Sequence, residues 1–309
     1  MLLRSIALLL APAFVSSAWS AETLADLPDL SGSWGRSMLF FEPPASGPGP
    51  ILNLVRKPDG SVVPADPCCT IVREWRGDST SPILKPEAAE AVRKFAERSL
   101  SGGVTSDLHS NCFAEPPPYA MSVQFAVNIL QQKNEIILIY LLHNTVRHVR
   151  LNASHPEKVT PSWQGDSVGW YDGDTLVVDT IGIKADPPST VDAFGTPHTE
   201  ALHVVERYRL IDGNIAAETQ WKYGAPRIAR ENGGYGQGSI DQDTAKKGLQ
   251  VAFTVEDAGV FTKPWSGTVT YRPLIPNPAI GHWPETICAE HPQFLGGNGS
   301  IPHADKPDF

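Results

Sequence analysis

Between about residue 121 and residue 273, apolar and polar side chains alternate with a period of two in short runs. "EIILIYLL" (135–142), "VRHVRLN" (146–152), "TLVVDT" (175–180), "LHVVERYRL" (202–210), "IAAETQWKY" (215–223), "LQVAFTVED" (249–257) and "GTVTYRP" (267–273) are rich in β-branched and aromatic residues and predict strands. Turn chemistry separates them: "HNT" from 143, "DGD" from 172 and "DGN" from 212, the last two fitting tight hairpin turns. One segment has helical spacing instead. Ala88, Val92 and Phe95 recur on one face, Pro86 suits a first turn, and "SGG" (101–103) stops the run, so a helix is predicted over 86–98. Short consecutive strands with one helix predict an all-β, mainly antiparallel domain, either a single barrel or a barrel-like sandwich with long loops. The longest irregular stretches, 181–201 and 224–248, are candidate lids or binding loops.

Side-chain parity then singles out groups for chemistry. In the 202–210 run, Glu206 shares its face with Leu202, Val204, Tyr208 and Leu210, whereas His203, Arg207 and Arg209 face the other way. A carboxylate on the apolar face needs a partner, because an unpaired buried charge is costly. Arg147 shares its face with Val149 and Leu151 and is the natural partner, with His148 and Arg150 turned outward. The pair is either an interior structural bridge or part of an acid–base site that also takes His198, which precedes the strand at the barrel mouth, with Glu200 beside it as a candidate ligand contact. A metal site drawn from His143, His148, His198, Glu200 and His203 lacks the helical H-E-x-x-H spacing, so no metal is expected. "GDS" at 165–167 is not a nucleophile elbow. Of the aromatic residues, Trp34, Trp170, Tyr208 and Trp265 are candidates to line a ligand pocket, core packing being the other use for them.

Composition narrows the partners. A net charge of −9 over 309 residues argues against nucleic acid and anionic membrane surfaces. Twenty-eight prolines and 26 glycines fit a chain of many turns. "MLLRSIALLLAPAFVSSAWS" has a positive charge, an apolar run and then small residues, the layout of a secretory signal peptide cleaved after Ser20 or Ala18. No later run is long enough for a transmembrane helix, so a periplasmic or secreted soluble protein is expected. In that oxidising setting Cys68, Cys69, Cys112 and Cys288 allow three pairings; Cys112 and Cys288 are the favoured disulfide candidates, since a vicinal bridge is strained.

"WQGDSVGWYDGDTLVVDTIG" (163–182), followed by "PHTEALHVVERYRL" (197–210), resembles a widespread family of secreted bacterial proteins sharing a G-D-S-x-G-x-W-x-G-D-T-L-V-V-x-T … H-S-x-x-L-x-V-x-E-R signature. "DLSGSW" (29–34), "CFAEPPPYAM" (112–121), "VEDAGVFTKPW" (255–265) and "TICAEH" (286–291) extend the resemblance over most of the chain. It implies secretion and a lipocalin- or calycin-like barrel, and it implies no activity. With no dinucleotide, P-loop or heme motif, no cofactor is expected. The residues point to cofactor-independent acid–base chemistry (lyase, isomerase or hydrolase type) on a small aromatic, terpenoid-like or glycosidic molecule. Glu206 and His198 would act as base and acid, and Arg147 would stabilise negative charge. The alternative is a non-catalytic barrel that carries a hydrophobic ligand.

Overall fold

The computed structural model describes residues 27–36, 40–65, 75–101, 113–123, 125–187, 189–223 and 238–276. The expected signal segment, all four cysteines and residues 224–237 of the second long loop lie outside them. The elements are β1 (Gly32–Gly35), β2 (Leu54–Arg56), β3 (Val62–Pro64), α1 (Pro86–Leu100), α2 (Tyr119–Ser122), β4 (Val127–Gln131), β5 (Glu135–Tyr140), β6 (Thr145–Leu151), β7 (Asp166–Asp172), β8 (Thr175–Ile181), β9 (His203–Ile211), α3 (Gly213–Tyr223), β10 (Gly238–Ile240), β11 (Gly248–Glu256) and β12 (Trp265–Pro276).

Nine strands close into a barrel in the order β1-β4-β5-β6-β7-β8-β9-β11-β12, and β12 returns to β1. Closure leaves the ring without an exposed edge. Every contact in the ring is antiparallel except β6–β7. Parallel neighbours cannot be joined by a hairpin. The chain therefore leaves β6, runs through 152–165 and re-enters beside it. β10 adds to the far end of β12, and β2 with β3 forms a separate ribbon. The "DGD" turn is the tight hairpin expected: Asp172 pairs with Thr175, and Gly173 takes φ +62.

Alternation fills the interior. Ile136, Leu138, Val149, Leu176, Val178, Val204, Val251, Phe253, Val255 and Val269 are all buried and point inward. Trp265 closes this core against Phe41, Phe253 and Phe261, in edge or tilted contacts with centroids 5.8–6.0 Å apart. Outside the barrel, Ala88, Val92 and Ala96 put one face of α1 into the core. The start of the helix is held to the loop before β12, where the Lys85 N–H donates to the Val260 carbonyl at 2.9 Å.

One expectation is overturned. Residues 215–223 form the helix α3 rather than a strand, and "DGN" caps it rather than turning a hairpin. The Asp212 carboxylate accepts the Asn214 N–H at 2.9 Å, satisfying a donor at the helix start. β9 pairs directly with β11 along its whole length, so the ring has no slot for a strand between them. Ala216 and Gln220, four residues apart, are the buried contacts, and Gln220 Nε2 donates to the carbonyls of Gly35 and Thr270 across the barrel seam. Of the three α-helices among the described residues, α2 and α3 were not expected. Among the described residues no helix is long and apolar enough to cross a membrane.

Candidate functional site

The predicted acid–base residues separate into two places. Inside the barrel, Arg147 and Glu206 do meet. Arg147 Nη1 donates to Glu206 Oε1 at 3.0 Å, and Nη2 donates to Oε2. The remaining partners are also internal: Nε donates to Ser167 Oγ at 3.0 Å, Nη2 to Thr180 Oγ1 at 2.6 Å, and Tyr208 Oη to Glu206 Oε1 at 3.0 Å. Of five guanidinium donors, four are placed. The two side chains are 1% and 0% exposed, so solvent does not reach them. Burial acts against the Arg147 charge, but Glu206 and the tyrosines around it more than offset this and raise its pKa above the ordinary arginine value. Burial, with Glu206 adding to it, also lifts Tyr208 well above an ordinary phenol. These are the features of a sealed structural pair, one of the two readings parity allowed.

A second interior arginine escaped sequence reading. Arg36 donates to the carbonyls of Met121 and Phe40, while Glu42 accepts the Thr270 N–H and hydroxyl, each at 2.7 Å. Arg36 shares the parity of Trp34, which was the available signal.

The aromatic candidates do not converge. Trp34 is core, its Nε1 donating to the Leu30 carbonyl at 2.9 Å, and Trp265 is packed as described. Trp170 stands 39% exposed on the outer face of β7, and Glu200 is exposed in the turn before β9. Two acidic residues of the 165–180 stretch serve the outer surface. Asp166 contacts Arg150 at 2.7 Å and His155 at 2.6 Å, and Asp179 contacts His203 at 2.9 Å and His155 at 3.3 Å. Among the described residues no group of three or more His, Cys, Asp or Glu is arranged to hold a metal ion.

His198 lies elsewhere, on the wall of a groove outside the barrel. Its elements are α1 and the irregular stretches 185–187 and 189–198. Ala91, Lys94, Phe95 and Arg98 of α1 recur at helical spacing and form one wall. Ala185, Pro187, Ser189, Thr190, Gly195, Pro197 and His198 form the other, around a volume of about 300 Å³. The second wall is braced from within. Asp192, buried, accepts the N–H groups of Phe194 (2.9 Å) and Thr196 (3.2 Å) and the Thr196 hydroxyl (2.6 Å). Burial raises its carboxyl pKa and these bonds act against the rise. Phe194 stacks on Phe40 with centroids 4.9 Å apart. Gly195, at φ +74, brings the wall so close to α1 that a Cβ there would stand 2.4 Å from Phe95 Cδ2.

His198 has a defined tautomer. Nδ1 lies 3.1 Å from the Thr199 carbonyl, which only accepts, so Nδ1 carries the proton. Nε2 is then an acceptor, and Ser189 Oγ donates to it at 2.6 Å. Burial lowers the His198 pKa, against raising contributions from Thr199 and Asp257, and this favours the neutral ring.

Comparison of the chain with protein-family models, curated proteins and solved structures finds no match. The functional reading therefore rests on chemistry alone. Beside His198, two segments distant in the chain meet. Asp257 of "VEDAG" accepts the N–H of Thr199, from "PHTEAL", at 2.6 Å and its hydroxyl at 2.9 Å. Ser189 was absent from the sequence reading, since nothing local marks it; its partner is nine residues away and the loop between them brings the two together.

Proposed function

We propose that this chain is an exported β-barrel protein that binds a small molecule with an apolar body and an anionic group, in the groove between α1 and residues 185–187 and 189–198. The observation that carries this is the lining. Ala91, Phe95, Pro187 and Pro197 offer apolar surface, and Lys94 and Arg98, four residues apart on the same helix face, place two cations beside it, Lys94 being shared with Glu90 at 3.5 Å. In a chain of net charge −9, a local pair of cations on a concave apolar surface is selective for an anion. A volume of about 300 Å³ sits at the lower end of ligand pockets and holds roughly ten water volumes, the size of a single substituted ring. Export rests on the N-terminal layout of Met1–Ser20. The barrel interior is not the binding site in this reading, because Arg147 and Glu206 spend their hydrogen bonds on each other and on neighbours sealed from water. Acid–base chemistry by Glu206 is excluded from it on the same ground.

The test is ligand-observed NMR and calorimetry with benzoate, phenylacetate and 4-hydroxybenzoate, each against the neutral amide of the same acid. Saturable binding of a carboxylate over its amide is expected, weakened about tenfold or more in Lys94→Glu/Arg98→Glu. Both residues are exposed, so the variant should fold normally by circular dichroism. Failure of all three acids to bind, or equal binding by the charge-reversed variant, would overturn the reading.

A further inference from the structure

We propose that Ser189 is a nucleophile, activated by His198, that takes an acyl group from a small carboxylic ester bound in the same groove. The inference deepens the binding reading above and rests on it for the choice of substrate.

Three groups of an acyl-transfer site are in line. The nucleophile donates its hydroxyl proton to the base at 2.6 Å, within the range for such contacts. The base is held by its other nitrogen, at 3.1 Å from the Thr199 carbonyl, which fixes the tautomer in which Nε2 faces the serine. Thr199 is in turn fixed by Asp257, which accepts its N–H and hydroxyl and is itself anchored by the Gly259 N–H at 2.8 Å. Asp257 and Thr199 are positioning residues, and Ser189 and His198 are the reacting pair. Both reacting side chains line the groove, each residue keeping 6% of its surface exposed there. Ser167 differs in its place: its hydroxyl is held by Arg147 and Thr180 inside the barrel.

The chemistry balances with water as the second substrate. Ser189 Oγ attacks the ester carbonyl carbon as its proton passes to His198 Nε2. The tetrahedral oxyanion collapses, the bond to the alkoxide breaks, and that alkoxide leaves with the proton from Nε2. Water then attacks the acyl–Ser189 ester, giving its proton to Nε2, and the serine leaves with that proton. The net change is ester plus water to carboxylic acid plus alcohol, with no redox step. The orienting acceptor is a neutral peptide carbonyl, which steadies the imidazolium of the transition state less than a carboxylate does. Slow turnover follows, since acylation and deacylation both pass through that imidazolium. Lys94 and Arg98 direct the chemistry to esters that carry a separate anionic group, such as a monoester of a dicarboxylic acid or a hydroxybenzoate acylated on its phenol oxygen.

The experiment uses the full mature chain with an alkyl fluorophosphonate and with 4-nitrophenyl acetate, read by intact mass, peptide mapping and nitrophenolate release. One adduct per chain on Ser189 is expected, lost in Ser189→Ala and slowed about 100-fold in His198→Gln, the scale of general-base assistance. In wild type, the labelling rate should fall with acid through an ionisation below the ordinary histidine value of 6.5. That pH profile needs no variant to fold. Binding of the best carboxylate from the earlier test is measured on the same samples. No adduct, or labelling that persists in Ser189→Ala, overturns the nucleophile, and intact carboxylate binding in that case leaves the binding reading standing. Labelling of Ser189 without any carboxylate binding supports the nucleophile and overturns the anion-selective groove.

Discussion

Glu206→Gln should unfold this protein far more easily than its small change in size suggests. The carboxylate accepts three hydrogen bonds, two from Arg147 and one from Tyr208, with no solvent contact. The amide keeps one acceptor and turns its NH₂ toward donors of Arg147 or Tyr208, so at least one donor faces another. Arg147 cannot escape by releasing its proton, because guanidinium stays charged at any accessible pH. What is left is a buried cation without its counter-ion, which costs about 3–5 kcal/mol. At about 2–4 °C per kcal/mol for a domain of this size, the melting point should fall by roughly 6–20 °C. The assay is thermal unfolding followed by near-ultraviolet circular dichroism, with urea titration at 25 °C as a second measure. The double variant Arg147→Met/Glu206→Leu removes both charges and is expected to recover most of the loss, since an apolar pair can replace a buried bridge. A Glu206→Gln protein melting within about 2 °C of wild type, or a double variant worse than the sum of its singles, would refute the structural reading of the pair.

Two further outcomes follow from local geometry. Gly195→Ala should cost about 2–4 kcal/mol, since φ +74 disfavours any side chain and the new methyl would stand 2.4 Å from Phe95; melting measures it, and recovery of part of the loss by Phe95→Ala checks the steric share. The hydrogen bond to Asp179 raises the pKa of His203 above 6.5, with partial burial acting against it. The folded state thus holds that proton more tightly than the unfolded chain does. Its contribution to stability is complete below pH 6.5 and disappears as pH rises through the folded value. Asp179→Asn should remove that slope and lower the His203 titration midpoint by NMR; an unmoved midpoint would contradict the assignment.

Residues with strand periodicity were readable because burial on one face leaves a local trace. Glu206 and Arg147 were found as inward charges in this way, and the barrel brought them together as parity required. Arg36 carried the same trace beside Trp34 and was overlooked, its partner contacts lying in loops rather than strands. The 215–223 run misled because Ile215, Trp221 and Tyr223 have strand-like character, while the buried contacts are Ala216 and Gln220. Ile215 and Trp221 stand 54% and 47% exposed, so the residues that suggested a strand do not place the segment.

The sequence by itself determined most of the local periods, the inward side of the strands that hold Arg147 and Glu206, the tight turn at Gly173 and the sign of the charge. These depend on neighbours two to four residues away. Tertiary structure alone decided the parallel β6–β7 contact, the closure of β12 onto β1 and the absence of a place for a strand between β9 and β11. It also decided the groove. Nothing in the local sequence singles out Lys94, Arg98 or Ser189, and His198 was expected at the barrel mouth as an acid beside Glu206. They acquire a common surface because Asp192 folds its loop onto itself, Gly195 permits contact with Phe95, and Asp257 holds Thr199 from 58 residues away. Hydrogen bonds between distant segments leave no period in a sequence, so the site became visible only once the chain had closed around it.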